Sequence, residues 1–189
     1  LYGRTIPLSA SKIDRFAGCR YAFFLQYGLC AAPWKQAEFD APLFGSFVHD
    51  VLEHVVREAQ ARGGFAAMTD SEISALAERC MDSCMATYLP QGEAAASRER
   101  YLSDRNRQEA AAVVMDVARE LRLSQFSPAA EELRFAQNGP LPPIEYRAKR
   151  GSGLLIGQID RVDTYEADGR SYFRIIDYKT GHKDFDYAE

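Results

Sequence analysis

The sequence predicts an α+β fold in which a largely helical stretch precedes an antiparallel set of strands. Three observations predict it. Apolar residues recur at helical spacing across most of residues 8–126, and that periodicity ends near Pro128. The β-rich runs that follow enclose Asp168-Gly169, a dipeptide that favours a two-residue hairpin turn. The 189 residues are enough to bury a core and are expected to form one domain. Residues 1–127 would be its mainly helical part and 128–189 its β-rich part.

The first expected helix covers residues 8–28, with Ser11 three positions before Asp14 as a capping pair and Ile13, Phe16, Ala17 and Phe24 on one side. The aromatic run from Cys19 to Tyr27 suits core packing or, alternatively, base stacking. Residues 30–43, with Pro33, Trp34 and Pro42, read as a loop. A second helix is expected from Phe44 to Arg62, with the stripe Val48, Val51, Leu52, Val55, Val56, Ala59 and a stop at Gly63-Gly64. His49 and Glu53 stand beside that stripe, one turn apart.

A third helix is expected over 70–89, capped by Thr69 or Asp70. Its stripe, Ile73, Leu76, Ala77, Cys80, Met81, Cys84 and Tyr88, makes Cys80 and Cys84 core thiols rather than zinc or disulfide ligands. Residues 90–103 read as a connection. The fourth helix runs over 104–126, with Ala110, Val113, Val114, Val117 and Leu121 inward. Short strands follow at 131–137 and 144–149, then two longer ones at 154–165 and 172–179.

The net charge of −4 carries no overall nucleic-acid footprint, so any DNA contact must come from local basic residues such as Arg147, Lys149, Arg150 and Arg161. No apolar run approaches the roughly 18 to 20 residues of a membrane span, and no signal peptide is visible. A cytoplasmic protein without membrane contact is expected. The opening at Leu1 and the end at Glu189 suggest a piece of a longer polypeptide.

The turn at Asp168-Gly169 sets a register in which Ala167 faces Arg170 and Asp160 faces Asp177. Asp160, Asp177 and Lys179 then share one side of the hairpin, with Gln158 across from Lys179. Nearer the turn the same side is apolar, with Val162 against Ile175 and Thr164 against Phe173, which predicts a core face there. Two opposed carboxylates repel unless a cation lies between them. A surface Asp–Lys salt bridge is one explanation of the cluster. The other is a hard-cation site, where Mg²⁺ accepts one or two carboxylates and keeps several waters. Beside such an ion Lys179 could orient water or offset charge at a phosphate, chemistry that suits phosphodiester hydrolysis.

Gly157-Gln158-Ile159-Asp160-Arg161-Val162-Asp163 followed by Ile176-Asp177-Tyr178-Lys179-Thr180-Gly181 resembles the core of the PD-(D/E)XK nucleases of RecB type. Within them it is most similar to the nuclease domain in the B subunit of bacterial ATP-dependent helicase/deoxyribonucleases (AddB type). Three upstream pieces agree, in the family's order: Leu8-Ser9-Ala10-Ser11 leading to Cys19-Arg20-Tyr21-Ala22-Phe23, Phe44-Gly45-Ser46-Phe47-Val48-His49, and Glu132-Leu133-Arg134-Phe135.

The resemblance implies a restriction-endonuclease-like core, a mixed sheet with a catalytic antiparallel hairpin. It implies a DNA nuclease, an exonuclease in the family's usual mode, acting in double-strand-break repair and recombination. Single strands would be delivered by a helicase within a complex with a partner subunit. His49, Asp160, Asp177 and the main-chain carbonyl of Tyr178 would hold Mg²⁺ or Mn²⁺, and Asp160, Asp177 and Lys179 would be catalytic. Taken alone, His49 reads as an ordinary capped or packed histidine, and only the resemblance makes it a ligand. Glu132 either helps position the site or is a solvated carboxylate at a strand end. Cys19 matches the first cysteine of the [4Fe–4S] cluster that many relatives hold, but the cluster's later cysteines and a Gln-x-x-x-Tyr helix are not in these 189 residues. The expected cluster is therefore confined to a longer parent. The rival to the nuclease is a catalytically silent DNA-binding or scaffold module of the same fold.

Overall fold

Three apolar stripes meet to make the largest core. Helix α3 (Ala41–Ala61) contributes Phe47, Val48, Val51, Leu52, Val55, Val56 and Ala59, all essentially sealed from solvent. Helix α4 (Asp70–Tyr88) contributes Ile73, Leu76, Ala77, Cys80, Met81 and Cys84, and helix α5 (Ser97–Leu123) contributes Ala110, Val114 and Ala118. The two cysteines are thus core thiols, as their spacing predicts. The stop after α3 is a left-handed Gly63 (φ 93°), with the Gly64 N–H donating back to the Ala59 carbonyl at 2.8 Å. Thr69 caps α4 reciprocally: the Glu72 N–H donates to its hydroxyl at 3.3 Å, and its own N–H donates to the Glu72 carboxylate at 2.8 Å.

This computed structural model describes residues 5–32, 41–88, 97–149 and 151–179. Trp34 and the rest of 33–40, residues 89–96, Arg150, Thr180 and Gly181 lie outside the described residues. The chain divides into two compact units, one comprising Leu1–Ala37 and Glu132–Ile159, the other Glu38–Glu131 and Asp160–Glu189. The three-helix core belongs to the second. No described helix is long and apolar enough to cross a membrane.

Among the described residues, six strands form two three-stranded sheets. In the first, β1 (Thr5–Leu8) runs parallel to β4 (Gly151–Leu155), which pairs antiparallel with β3 (Ile144–Ala148). In the second, the order is β2 (Ser127–Phe135), β5 (Gly157–Ala167), β6 (Arg170–Ile176). A mixed sheet, an antiparallel hairpin and a preceding helical region together make the α+β fold that the sequence predicts.

Local departures have physical causes. The first four described residues are a strand, because β4 supplies backbone partners from far along the chain. Helix α1 (Ala10–Gly18) is consequently capped by Ser9, whose hydroxyl accepts the Lys12 N–H at 3.3 Å, and not by Ser11. Extended backbone at Cys19 (φ −158°) separates α1 from the short α2 (Arg20–Phe23), so residues 8–28 are not one helix. Helix α5 begins at Ser97, earlier than expected, in a segment of good helix formers. The strand expected over 154–165 breaks at Ile156, whose N–H turns to the Leu8 carbonyl at 2.8 Å.

Candidate metal centre

The hairpin sets the site. Asp168 and Gly169 adopt φ 50° and 71°, the left-handed pair of a type I′ turn. The register follows from it: Ala167 pairs with Arg170, and successive pairs run to Arg161 opposite Ile176. The ladder stops there, one pair short of Asp160 and Asp177. Instead of facing Asp177 across the sheet, the Asp160 carboxylate accepts the main-chain N–H of Tyr178 at 2.7 Å.

Helix α3 brings His49 to the same place. Its Nδ1 lies 3.5 Å from the Asp160 carboxylate, and its Nε2 lies 2.9 Å from the Tyr178 carbonyl oxygen. The ring also meets the Tyr178 ring edge to face, with centroids 5.8 Å apart. Both imidazole nitrogens therefore face oxygen acceptors. Either ring nitrogen can serve as a metal ligand. One nitrogen, one carboxylate and one carbonyl form a donor set that suits a hard divalent ion. The residues present fit a bound cation.

Asp177 and Lys179 are placed differently. They pair with each other, Nζ to Oδ1 at 2.7 Å and Oδ2 at 2.6 Å, and both remain about half exposed. Among the described residues, no hydrogen bond or ion pair joins either to His49 or Asp160. Gln158 accepts from the Arg134 guanidinium at 2.7 Å. Glu132 sits within β2 rather than at a strand end, and its φ of 48° is rare for a residue other than glycine. Cys19 is exposed, and its sulfur caps α2 by accepting the Ala22 N–H at 3.5 Å. Two of the sequence motifs are joined by packing. A Cβ on Gly157 would come within 2.6 Å of the Phe135 ring, so the glycine is needed for close approach.

The face of the hairpin expected to be core is open: Phe173 is 71% and Ile175 61% exposed. The opposite face is sealed at its centre, and it carries charge there. Arg161 is 1% and Asp163 0% exposed. Arg161 is thus no DNA-contact residue. Its Nε lies 2.9 Å from Asp163 Oδ1, and its Nη2 donates to Glu120 of α5 at 3.0 Å. Nη1 donates to the Tyr178 hydroxyl at 2.7 Å. Arg174 of β6 closes the network by donating Nε to Asp163 at 2.8 Å. Burial works against the Arg161 charge, but its partners more than offset that and hold its pKa up. Burial likewise pushes the Tyr178 phenol up to about 12, against the pull of the guanidinium. The register places Arg161, Asp163 and Arg174 on one face with Tyr165 and Ile176, though alternation alone does not say that this face is the covered one.

The comparisons agree with this geometry. A model of the PD-(D/E)XK nuclease superfamily matches residues 7–189. The B subunit of an ATP-dependent helicase/deoxyribonuclease from Caldanaerobacter subterraneus subsp. tengcongensis is 33% identical, over 100% of this chain and 16% of its own length. Its counterparts in Acetivibrio thermocellus and Clostridioides difficile are 32% and 31% identical, over 100% and 96% of this chain and 17% and 16% of theirs. The chain spans about a sixth of the length of these relatives. It belongs to the PD-(D/E)XK nuclease superfamily.

Proposed function

We propose that this chain is the metal-dependent, DNA-hydrolysing domain of a helicase–nuclease complex that acts in double-strand-break repair and recombination. The observation that carries the reading is the convergence of His49, Asp160 and the Tyr178 carbonyl, with the Asp177–Lys179 pair on the adjoining residues. The relatives' shared name supports DNA as the substrate and a helicase component as the partner.

His49, Asp160 and the Tyr178 carbonyl would hold Mg²⁺ or Mn²⁺, and Asp177 would add its carboxylate once released from Lys179. A divalent ion there supplies Lewis acidity, making water a stronger acid and drawing charge from a phosphate oxygen. Lys179, freed in the same exchange, sets its ammonium beside the phosphate and offsets negative charge as the phosphorus–oxygen bond breaks. Asp160 fixes the strand end by holding the Tyr178 N–H. Hydrolysis leaves a 5′-phosphate and a 3′-hydroxyl, in the exonuclease mode, on single strands fed by the helicase.

The test is a nuclease assay on the natural polypeptide carrying this chain, with Mg²⁺ and a single-stranded oligodeoxynucleotide. Asp177→Ala and Lys179→Ala should each lower cleavage by about 100- to 1000-fold. Both side chains are half exposed, and a surface pair contributes only about 0 to 1 kcal/mol, so the melting temperature should hold. Undiminished cleavage by both variants would sink the assignment, and a wild type that binds DNA without cutting it would favour the scaffold.

A further inference from the structure

We propose that Arg161 is a positioning residue: its buried guanidinium braces the Tyr178 phenol and thereby holds the Tyr178 main chain against His49 and Asp160. The inference rests on the function proposed above and extends it to a residue on the far side of the sheet from Asp160.

Tyr178 needs such a brace because the sheet does not hold it. The ladder ends at Arg161 opposite Ile176, so no strand–strand hydrogen bond fixes the main chain at position 178. Its N–H goes to the Asp160 carboxylate, its carbonyl lies against His49, its ring packs against the helical core, and its phenol is a further anchor. That anchor reaches Arg161 at 2.7 Å. Arg161 is itself immobilised. Asp163 on its own strand and Glu120 on α5 both accept from its Nη2, at 3.1 Å and 3.0 Å. Its Nε stands in ion-pair contact with Asp163 at 2.9 Å, and Arg174 holds Asp163 from the other side. A planar guanidinium held by two carboxylates has little freedom to swing, and its Nη1 is thereby aimed at the Tyr178 hydroxyl. The guanidinium carbon also lies 5.6 Å from the Tyr178 ring centroid, so ring and hydroxyl are held together. The brace runs from α5 and β5, through the phenol, to the two main-chain atoms that meet His49 and Asp160. Lys179 and Asp177 flank the braced residue on either side.

Tyr178→Phe removes the phenol oxygen and keeps the ring, and Arg161→Lys keeps the charge but loses the fork. Both are measured in the natural polypeptide by calorimetric titration with Mn²⁺, by steady-state cleavage of a single-stranded oligodeoxynucleotide, and by thermal melting. Supporting residues behind a metal ligand typically change affinity by about 10- to 100-fold, and the lower end is expected here. The Mn²⁺ dissociation constant should rise about tenfold and kcat fall in proportion, with KM for the oligodeoxynucleotide unchanged. Wild-type Mn²⁺ affinity in Tyr178→Phe overturns the proposal, whether or not melting shifts, since a lowered melting temperature alone marks a packing role. If Arg161→Lys does not fold, Tyr178→Phe decides. His49→Ala, run in parallel, separates the two levels. Unweakened Mn²⁺ binding in His49→Ala removes the metal seat itself, whereas weakening there with none in Tyr178→Phe removes only the brace.

Discussion

His49 and Tyr178, 129 residues apart in the chain, meet with imidazole Nε2 2.9 Å from a main-chain carbonyl oxygen. A side chain on the first long helix and a backbone atom just past the last strand thus form one edge of the site. The Asp160 carboxylate, 3.5 Å from the other imidazole nitrogen, forms the next.

That relationship predicts the cost of losing the imidazole. His49→Ala should raise the Mn²⁺ dissociation constant at least about a hundredfold, the upper end of what disturbing a metal shell produces. The helix should survive, because its sealed stripe lies on Val48, Val51, Leu52 and Val55. Calorimetric titration checks the affinity and circular dichroism the helix. An unchanged dissociation constant would remove His49 from the ligand set.

The buried charges predict a stability effect of a different kind. Asp163 is sealed between the Arg161 and Arg174 guanidiniums, and Asp163→Ala leaves both dependent on Glu120. Breaking a buried pair from one side costs about 3–5 kcal/mol, because the surviving charge stays desolvated. Urea unfolding should show that loss. A change no larger than that of an exposed ion pair would mean that water reaches the layer.

The thiols predict a pH dependence. Burial pushes the Cys84 thiol up to about 11 from an ordinary 9.0, and Cys80 moves the same way. The folded chain therefore holds these protons more tightly than the unfolded chain does. Their contribution to stability is complete below pH 9.0 and is lost as pH rises toward about 11. Unfolding midpoints measured across that interval should fall, and Cys84→Ala should flatten the slope. At pH 8 an alkylating agent should modify the exposed Cys19 and Cys30 in the native chain and reach Cys80 and Cys84 only after unfolding. Rapid native labelling of Cys84 would contradict the sealed core.

Periodicity and turn chemistry act over a few residues, and what depends on them was legible from the chain alone. The stripes of α3, α4 and α5, the Thr69 cap, the Gly63 stop and the Asp168-Gly169 register are all local, and each stands where the residues indicate. His49, Asp160 and Tyr178 were named through motifs that resemble a family, and the structure brings these three together while Lys179 pairs with Asp177. Partners far apart in the chain were not legible. Strand β1 exists because β4 pairs with it across 147 residues, and nothing within Thr5–Leu8 demands a strand.

Alternation in β5 separates two faces but does not say which one the helices cover. Packing on the odd-numbered side buried Arg161 and Asp163 and left Phe173 and Ile175 open. The sequence by itself determined the α+β class, the hairpin register and the family. Only the tertiary structure decided that Asp160 holds the Tyr178 N–H rather than facing Asp177, and that a residue resembling a surface arginine is the buried anchor behind the site. A register specifies neighbours within a sheet, whereas what closes on its end and its faces is set by the helices that pack there.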